Sequence, residues 1–453
     1  MRSVTSRMAI ANPPGKVVIM PRECEATVGV TPKSHAIELR WFLLVCWVLS
    51  VTGLSAPGRA APLSVTALDP IALMKLGARG IGCAALGLIL LRHFQHARTL
   101  TITRVLMPLI FFAAWAAASI YWSPIRSITA GHALDLLLLT LLAITAGILC
   151  LDEDDYRRMF FHLAAIGVFM SFVLMALNFH AVAAGERPMD YMQPNDMAKT
   201  AGCGLLMLVC CHLLWEWSWT KRLLWPGCAI LLFSLYATRS RTALFLTPLA
   251  LLPLCFRLRG KKTIIAICAV GGILALIAPY SRTADRLPDT VGNYLARGQS
   301  AQELAQLSGR AEMWSIAMKS FEQSPVFGHG YYIMTDTGYF MVWGKQQWQT
   351  AHNAYLHILT GLGLIGMVFL AWALGSALRP ALASWNDFGR THKPEFLILT
   401  VAAWFCAFGC FELSFFGPID TAVCTFFALM GISAARLLQQ RADANKYARS
   451  RTA

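Results

Sequence analysis

The side chains best suited to chemistry in this sequence are a few cations and one histidine, placed at the edges of apolar runs. Thr238-Arg239-Ser240-Arg241-Thr242 is a short polar step between two apolar stretches. Two arginines so close to hydrocarbon are costly unless they are hydrated or paired with an anion. Snorkelling to the interface is the plainer alternative. Further on, Ser308-Gly309-Arg310 precedes a helical pattern. Ser308 suits its cap, Glu312 its first turn, and Pro325 its end. A cation in a first turn gains nothing from the helix dipole, so Arg310 calls for an anionic partner. Met313, Trp314, Ala317 and Phe321 make an apolar stripe on that helix, which reads as packing. His352-Asn353 falls where a polar stretch meets the next apolar run. Histidine transfers protons near neutral pH, although a lone histidine is more often structural. Asn353 is placed to hold its ring or to cap a helix. Lys75 and Arg79 are four residues apart and share a helix face, suited to a lipid-borne phosphate or to snorkelling. Glu412 is a candidate counter-ion for an arginine or a second proton acceptor, and Asp135 is similarly placed without a motif.

Guanidinium groups bind phosphate oxygens in pairs and stay charged. Arginines with one histidine beside lipid therefore suit a lipid-linked diphosphate better than a small neutral solute. No His/Cys cluster or carboxylate pair accompanies them, so neither metal nor cofactor is expected. Asp152, Glu153, Asp154 and Asp155 read as a solvated charge run on the opposite side. Pro325-Val326-Phe327-Gly328-His329-Gly330-Tyr331 is a glycine-rich turn and a weak signal alone.

The elements that position these groups are membrane helices. Of 453 residues, 57% are hydrophobic and 14% charged, against about 25% charged in ordinary soluble domains. Mean hydropathy is +0.54. A span needs about 20 apolar residues. Spans are expected near 37–55, 71–91, 105–121, 133–150, 160–178, 198–214, 222–238, 242–256, 263–279, 353–377, 395–413 and 419–437, about twelve in all. The pair 222–238 and 242–256 also reads as one broken element. The expected fold class is an all-α polytopic membrane protein with one large periplasmic loop containing short helices.

The net charge is +15, but the basic residues lie between apolar runs and read as orientation signals, not as a nucleic-acid surface. With the N-terminus inside, about 25 basic residues fall on the cytoplasmic side against about 8 in the short outer loops. Both termini are then cytoplasmic. The expected organisation is a disordered basic tail at 1–35, nine spans over 36–279, a periplasmic loop at 280–352, three spans over 353–438 and a second tail at 439–453. The 13 cysteines avoid the polar stretch 280–352 and form no CxxC pair, which argues against a disulfide framework.

Over roughly 105–435 the sequence resembles the O-antigen ligase and O-antigen polymerase superfamily, exopolysaccharide polymerases included. Tyr121-Trp122-Ser123-Pro124, Gln193-Pro194-Asn195-Asp196 and Ser240-Arg241-Thr242 carry the resemblance. So does the run from Ser308-Gly309-Arg310 through Trp314, Pro325, Gly328 and Gly330 to His352-Asn353, with Gly361 to Gly366 beyond. The resemblance implies a metal-independent glycosyltransferase of a bacterial inner membrane. Such enzymes move glycan from undecaprenyl diphosphate to a hydroxyl at the periplasmic face. Arg241 and Arg310 would then bind the diphosphate and His352 would serve as base or orient the acceptor. Arg239, Lys75, Arg79, Asn195, Asn353 and Glu412 would complete the substrate site. Ala296-Arg297-Gly298-Gln299 resembles the polymerases more than the ligases, so polymerisation of lipid-linked repeats is the first expectation. A ligase acting on a lipid or protein acceptor is the second, and a transporter the third. Transporters place their charges near the midplane, and here they gather at one face. A chain-length regulator or a flippase is the expected protein partner.

Overall fold

The computed structural model describes residues 32–54, 70–101, 103–215, 218–257, 310–334, 351–383, 393–415 and 419–452. Every regular element among the described residues is helical. In chain order these are α1 (Pro32–Val51), α2 (Pro70–Arg92), α3 (Phe94–Thr101), α4 (Leu106–Ala118), α5 (Arg126–Leu149), α6 (Glu153–Leu177) and α7 (Phe179–Ala183). There follow α8 (Pro194–Trp215), α9 (Ser218–Thr238), α10 (Arg241–Arg257), α11 (Arg310–Gln323), α12 (Ala354–Ala383), α13 (Lys393–Gly409) and α14 (Thr421–Thr452).

Six of these helices, α2, α5, α6, α8, α12 and α14, contain stretches long and apolar enough to cross a membrane. A seventh span results if α3 and α4, bent by 88°, are taken together. Shorter apolar helices run over Arg222–Thr238, Arg241–Pro253 and Pro394–Gly409. The chain is an all-α, multi-pass membrane protein. The expected segment 263–279, the start of the loop at 280–309 and its part 335–350 lie outside the described residues, as do the tail 1–31 and the stretch Ala296-Arg297-Gly298-Gln299.

Helices α8 and α14 are central, and α2 is the most exposed of the six spans. Close backbone approach sets the central packing. A Cβ on Gly147 of α5 would come 2.6 Å from the Gly431 carbonyl of α14, and one on Gly167 of α6 would come 2.8 Å from Gly204 of α8. In lipid, such small-residue contacts replace the hydrophobic drive for helix association.

Polar latches close one end of the bundle. His35 bonds Asp155 at 3.0 Å, Glu38 bonds His93 at 2.7 Å and Arg92 at 3.3 Å, and Arg436 bonds Glu395 at 2.7 Å. Asp152, Glu153 and Asp154 are exposed, as a solvated run would be, and Asp155 alone departs from that reading. Asp152 caps α6 by accepting the Asp155 amide at 2.8 Å, and Asp155 is buried. The loops at 178–193, 238–240, 324–334, 351–353, 410–415 and 419–420 face the other end.

Helix α12 is broken at Gly363, where φ is 67°. A break inside a membrane helix frees backbone groups that need partners. The glycine-rich turn supplies them. Thr360 and Gly361 carbonyls accept the His329 and Gly330 amides at 2.9 and 2.8 Å, and Leu364 donates to Pro325 O at 2.8 Å. Trp115 Nε1 donates to Leu362 O at 3.0 Å. Gly328, at φ 70°, lies so close to Gly361 that no Cβ fits. The expected Tyr121–Pro124 motif packs here too: Trp122 lies against Trp115 and Phe327, and Tyr331 N donates to Ser119 at 2.9 Å.

Candidate functional site

The site is organised by Glu412, three residues past the end of α13. Its side chain is 6% exposed. Burying a carboxylate is tolerable only when its lone pairs are taken up. Oε1 accepts from Asn195 Nδ2 at 2.7 Å and from Arg310 Nη2, and Oε2 pairs with His352 Nδ1 at 2.7 Å. Burial alone would raise its pKa. The hydrogen bond and charge of His352, with those of Arg310, outweigh burial and hold the carboxyl below its ordinary value. Glu412 is therefore an anion at neutral pH. A histidine that donates through Nδ1 to a carboxylate carries its lone pair on Nε2.

Each partner is fixed by its own element. Arg310 is the first residue of α11, and its Nη1 donates to Phe411 O at 2.8 Å. Trp314, one turn on, donates to Ala351 O at 2.8 Å and so ties α11 to the residue before His352. His352 has φ 44°, a left-handed conformation uncommon outside glycine. Asn353 holds it there: Oδ1 accepts the Tyr355 and Leu356 amides, both at 3.0 Å, and so caps α12. Its Nδ2 donates to Cys410 O at 3.1 Å, which binds that cap to the Glu412 turn. Strained backbone at a candidate proton acceptor is the kind of outlier that marks function.

Arginines surround this pair. Arg187 Nε donates to Thr238 O and Nη2 to Asn195 Oδ1, both at 2.9 Å. Burial lowers its pKa, Glu412 raises it, and Arg241, Arg239 and Arg310 lower it, so all four charges act on it. Arg239, at φ 52°, donates to Gly185 O at 2.6 Å. Arg241 is the first residue of α10. Arg310 pairs with Glu412, and the charges of Arg239 and Arg241 reach Arg187 beside it. Guanidinium groups gathered in this way suit an anion with several oxygens.

Sequence reasoning missed two residues. Arg187 sits in the loop between α7 and α8, and only its sign pointed to the cluster. Lys199 is 1% exposed and bonds Asp196 at 3.0 Å, Asp420 at 2.9 Å and Leu413 O at 3.3 Å. It anchors the turn that carries Glu412 to α8. Its signal was an Asp-x-x-Lys pair inside an apolar span, which has to be satisfied internally.

The structure brings together Arg239, Arg241, Arg310, Asn195, His352, Asn353 and Glu412. It leaves Lys75 and Arg79 apart from them: Arg79 pairs with Asp135 of α5 at 3.1 Å. Among the described residues, no group of three or more His, Cys, Asp or Glu side chains is placed to hold a metal.

Residues 226–371 match the family model described as O-Antigen ligase. No curated protein matches the chain. The matched region holds Arg239, Arg241, Arg310, His352 and Asn353, while Arg187, Asn195, Lys199 and Glu412 reach the site from outside it. Over residues 226–371, and over those alone, the chain is similar to the O-antigen ligase family.

Proposed function

We propose that this protein transfers a glycan from a lipid-linked diphosphate donor, undecaprenyl diphosphate, to an acceptor at the outer face of a bacterial inner membrane. The observation that carries the reading is one carboxylate, Glu412, shared between a phosphate-binding side chain, Arg310, and a proton acceptor, His352. Arg241, Arg239 and Arg310 hold the diphosphate. The acceptor oxygen attacks the anomeric carbon, forming the new glycosidic bond as the bond from that carbon to the diphosphate oxygen breaks. The acceptor proton passes to His352 Nε2, and Glu412 stabilises the imidazolium. The electron pair leaves on the diphosphate, where the arginines neutralise it. No metal has a part in this scheme.

The matched family is described as a ligase. That supports a lipid or protein acceptor over the polymerisation suggested by residues 296–299. A deletion strain tests the choice. Long glycan chains accumulating on the lipid carrier are the expected result. Single repeats on the carrier would mean a polymerase, and an unchanged glycan profile would remove the transferase reading.

A further inference from the structure

A cavity of about 470 Å³ opens between α2, α3 and α5. That is within the roughly 300–1,000 Å³ of ordinary ligand sites. It lies at the end of the bundle that the polar latches close, because α2 ends there at Arg92, which bonds Glu38 at 3.3 Å. Gly87, Leu90 and Leu91 of α2, Phe94 of α3 and Ile144 of α5 form its apolar wall. Gly87 and Ile144 each stand five residues before the last residue of their helix. At the rise of an α-helix that is about 7 Å further into the bilayer. The cavity thus runs from the level of the helix ends toward the hydrocarbon.

Helix α3 forms the interfacial side of the cavity. It meets α4 at 88°, so where α4 crosses the membrane α3 lies along its surface. The faces of α3 divide accordingly: Ala97 and Leu100 are buried, while Gln95, Arg98 and Thr99 are exposed. Of the described residues that line the cavity, Arg98 alone is charged. Arg92 is held by Glu38, whereas among the described residues no ion pair engages Arg98. An apolar wall offers water nothing to bond, so the cavity takes apolar material. In a bilayer that material is an acyl chain. A tail gains little by leaving other tails, since lipid is as apolar as leucine, and selection therefore falls to the head group. A guanidinium at the interface binds phosphate oxygens and favours a head group with net negative charge.

We propose that this cavity is a site for an anionic phospholipid of the leaflet at the latch end, opposite the Glu412 network. One acyl chain enters between α2 and α5 over Gly87, and the phosphate lies against Arg98. The inference is independent of the transfer reaction proposed above.

The test places the full chain in nanodiscs of phosphatidylcholine and phosphatidylglycerol in equal amounts, and counts retained lipid by native mass spectrometry. The wild type should retain phosphatidylglycerol in preference. Arg98→Gln should cut that preference by about fivefold, the worth of one cation near a lipid surface, with phosphatidylcholine still retained. Gly87→Leu should lower the retention of both lipids by filling the cavity. A Cβ at Gly87 meets nothing within 4 Å, and replacing glycine inside a helix favours folding, so this variant should accumulate normally. Gly77→Leu is its control: a Cβ there also meets open space on α2, ten residues from Gly87, and retention should not change. No preference in the wild type, a preference untouched by Arg98→Gln, or retention unchanged in Gly87→Leu overturns the site. An equal loss in Gly77→Leu overturns it too, because the whole face of α2 and not the cavity would then hold the lipid. So does a dimer of the chain that Gly87→Leu dissolves, which would make a second copy the occupant.

Discussion

Replacing Glu412 by glutamine tests the central arrangement. The change keeps the size of the side chain. The remaining oxygen, at the Oε1 position, still accepts from Asn195 and Arg310. The amide nitrogen takes the place of Oε2, 2.7 Å from His352 Nδ1. It can only donate there, so Nδ1 must become the acceptor and the proton moves to Nε2. The ring then presents a donor to the acceptor hydroxyl and cannot take its proton. Losing positioned proton transfer costs about 10²–10⁴ in rate, or about 2.7–5.4 kcal/mol of barrier at 1.36 kcal/mol per tenfold. Donor affinity should hold or rise, because the carboxylate no longer competes with the diphosphate for Arg310. Glu412→Ala is a different perturbation. It leaves Arg310 and Asn195 without their acceptor in a buried place, and about 3–5 kcal/mol of stability should go with it. The assay is single-turnover transfer from a lipid-linked donor in proteoliposomes, with donor binding measured separately. A Glu412→Gln rate within about threefold of wild type would refute the tautomer argument and the base role of His352 with it.

The remaining expectations are simpler. Arg241→Ala and Arg310→Ala should each weaken transfer by the equivalent of about 2–5 kcal/mol while the protein still accumulates in the membrane, with poor rescue by lysine, as measured by glycan transfer against protein level. His352→Gln should lose most activity yet bind donor normally; retained activity would give His352 an orienting role only. Because the folded Glu412 pKa is depressed, its contribution to stability is present above the unfolded value of about 4.3 and lost as pH falls through the lower folded value, so melting of wild type and Glu412→Gln should converge in acid. The His35 pKa is raised, chiefly by its hydrogen bond to Asp155, so that latch is fully present below about pH 6.5 and lost as pH rises through the folded value. A His35→Ala difference in Tm should accordingly shrink in alkali. A reporter active only in the periplasm should work when fused after residue 300 and fail after residue 260, and the reverse would overturn the orientation.

The membrane class was legible because lipid demands long apolar runs, which need no knowledge of tertiary contacts. Arg310 was legible for a local reason: a cation at a helix start has no partner in its own helix, and an anion had to come from elsewhere. That Glu412 is this anion depends on a contact across 102 positions. Sequence offered it as a candidate and no more. Arg187 and Lys199 were missed because the contacts that place them at the site are distant in sequence, Thr238 O for one and Leu413 O with Asp420 for the other. Asn353 was legible as a cap, since capping needs only the next three residues. Arg79 was grouped with the other outer cations by sign alone, and Asp135 claims it instead. The glycines of the 325–331 turn read as a turn, while their close approach to the break in α12 was not visible.

Under the proposed reaction, the arrangement would link donor binding to proton transfer without any moving part. In the folded protein the Glu412 charge is divided between Arg310 and His352, one oxygen to each. A diphosphate arriving at Arg310 supplies that guanidinium with a second anion, and the share of the Glu412 charge acting on Arg310 falls. In the proposed reaction more of it is then left to offset the positive charge that develops on the imidazole as the acceptor hydroxyl is deprotonated. The coupling runs over two hydrogen bonds through one buried carboxylate, where low polarisability of the surroundings preserves it. It is reciprocal: protonation of His352 draws on the same carboxylate and frees Arg310 for the leaving diphosphate. Lys199 and Asn353 matter to this logic because they hold the 410–413 turn from two sides, and a carboxylate that could swing would serve one partner at a time.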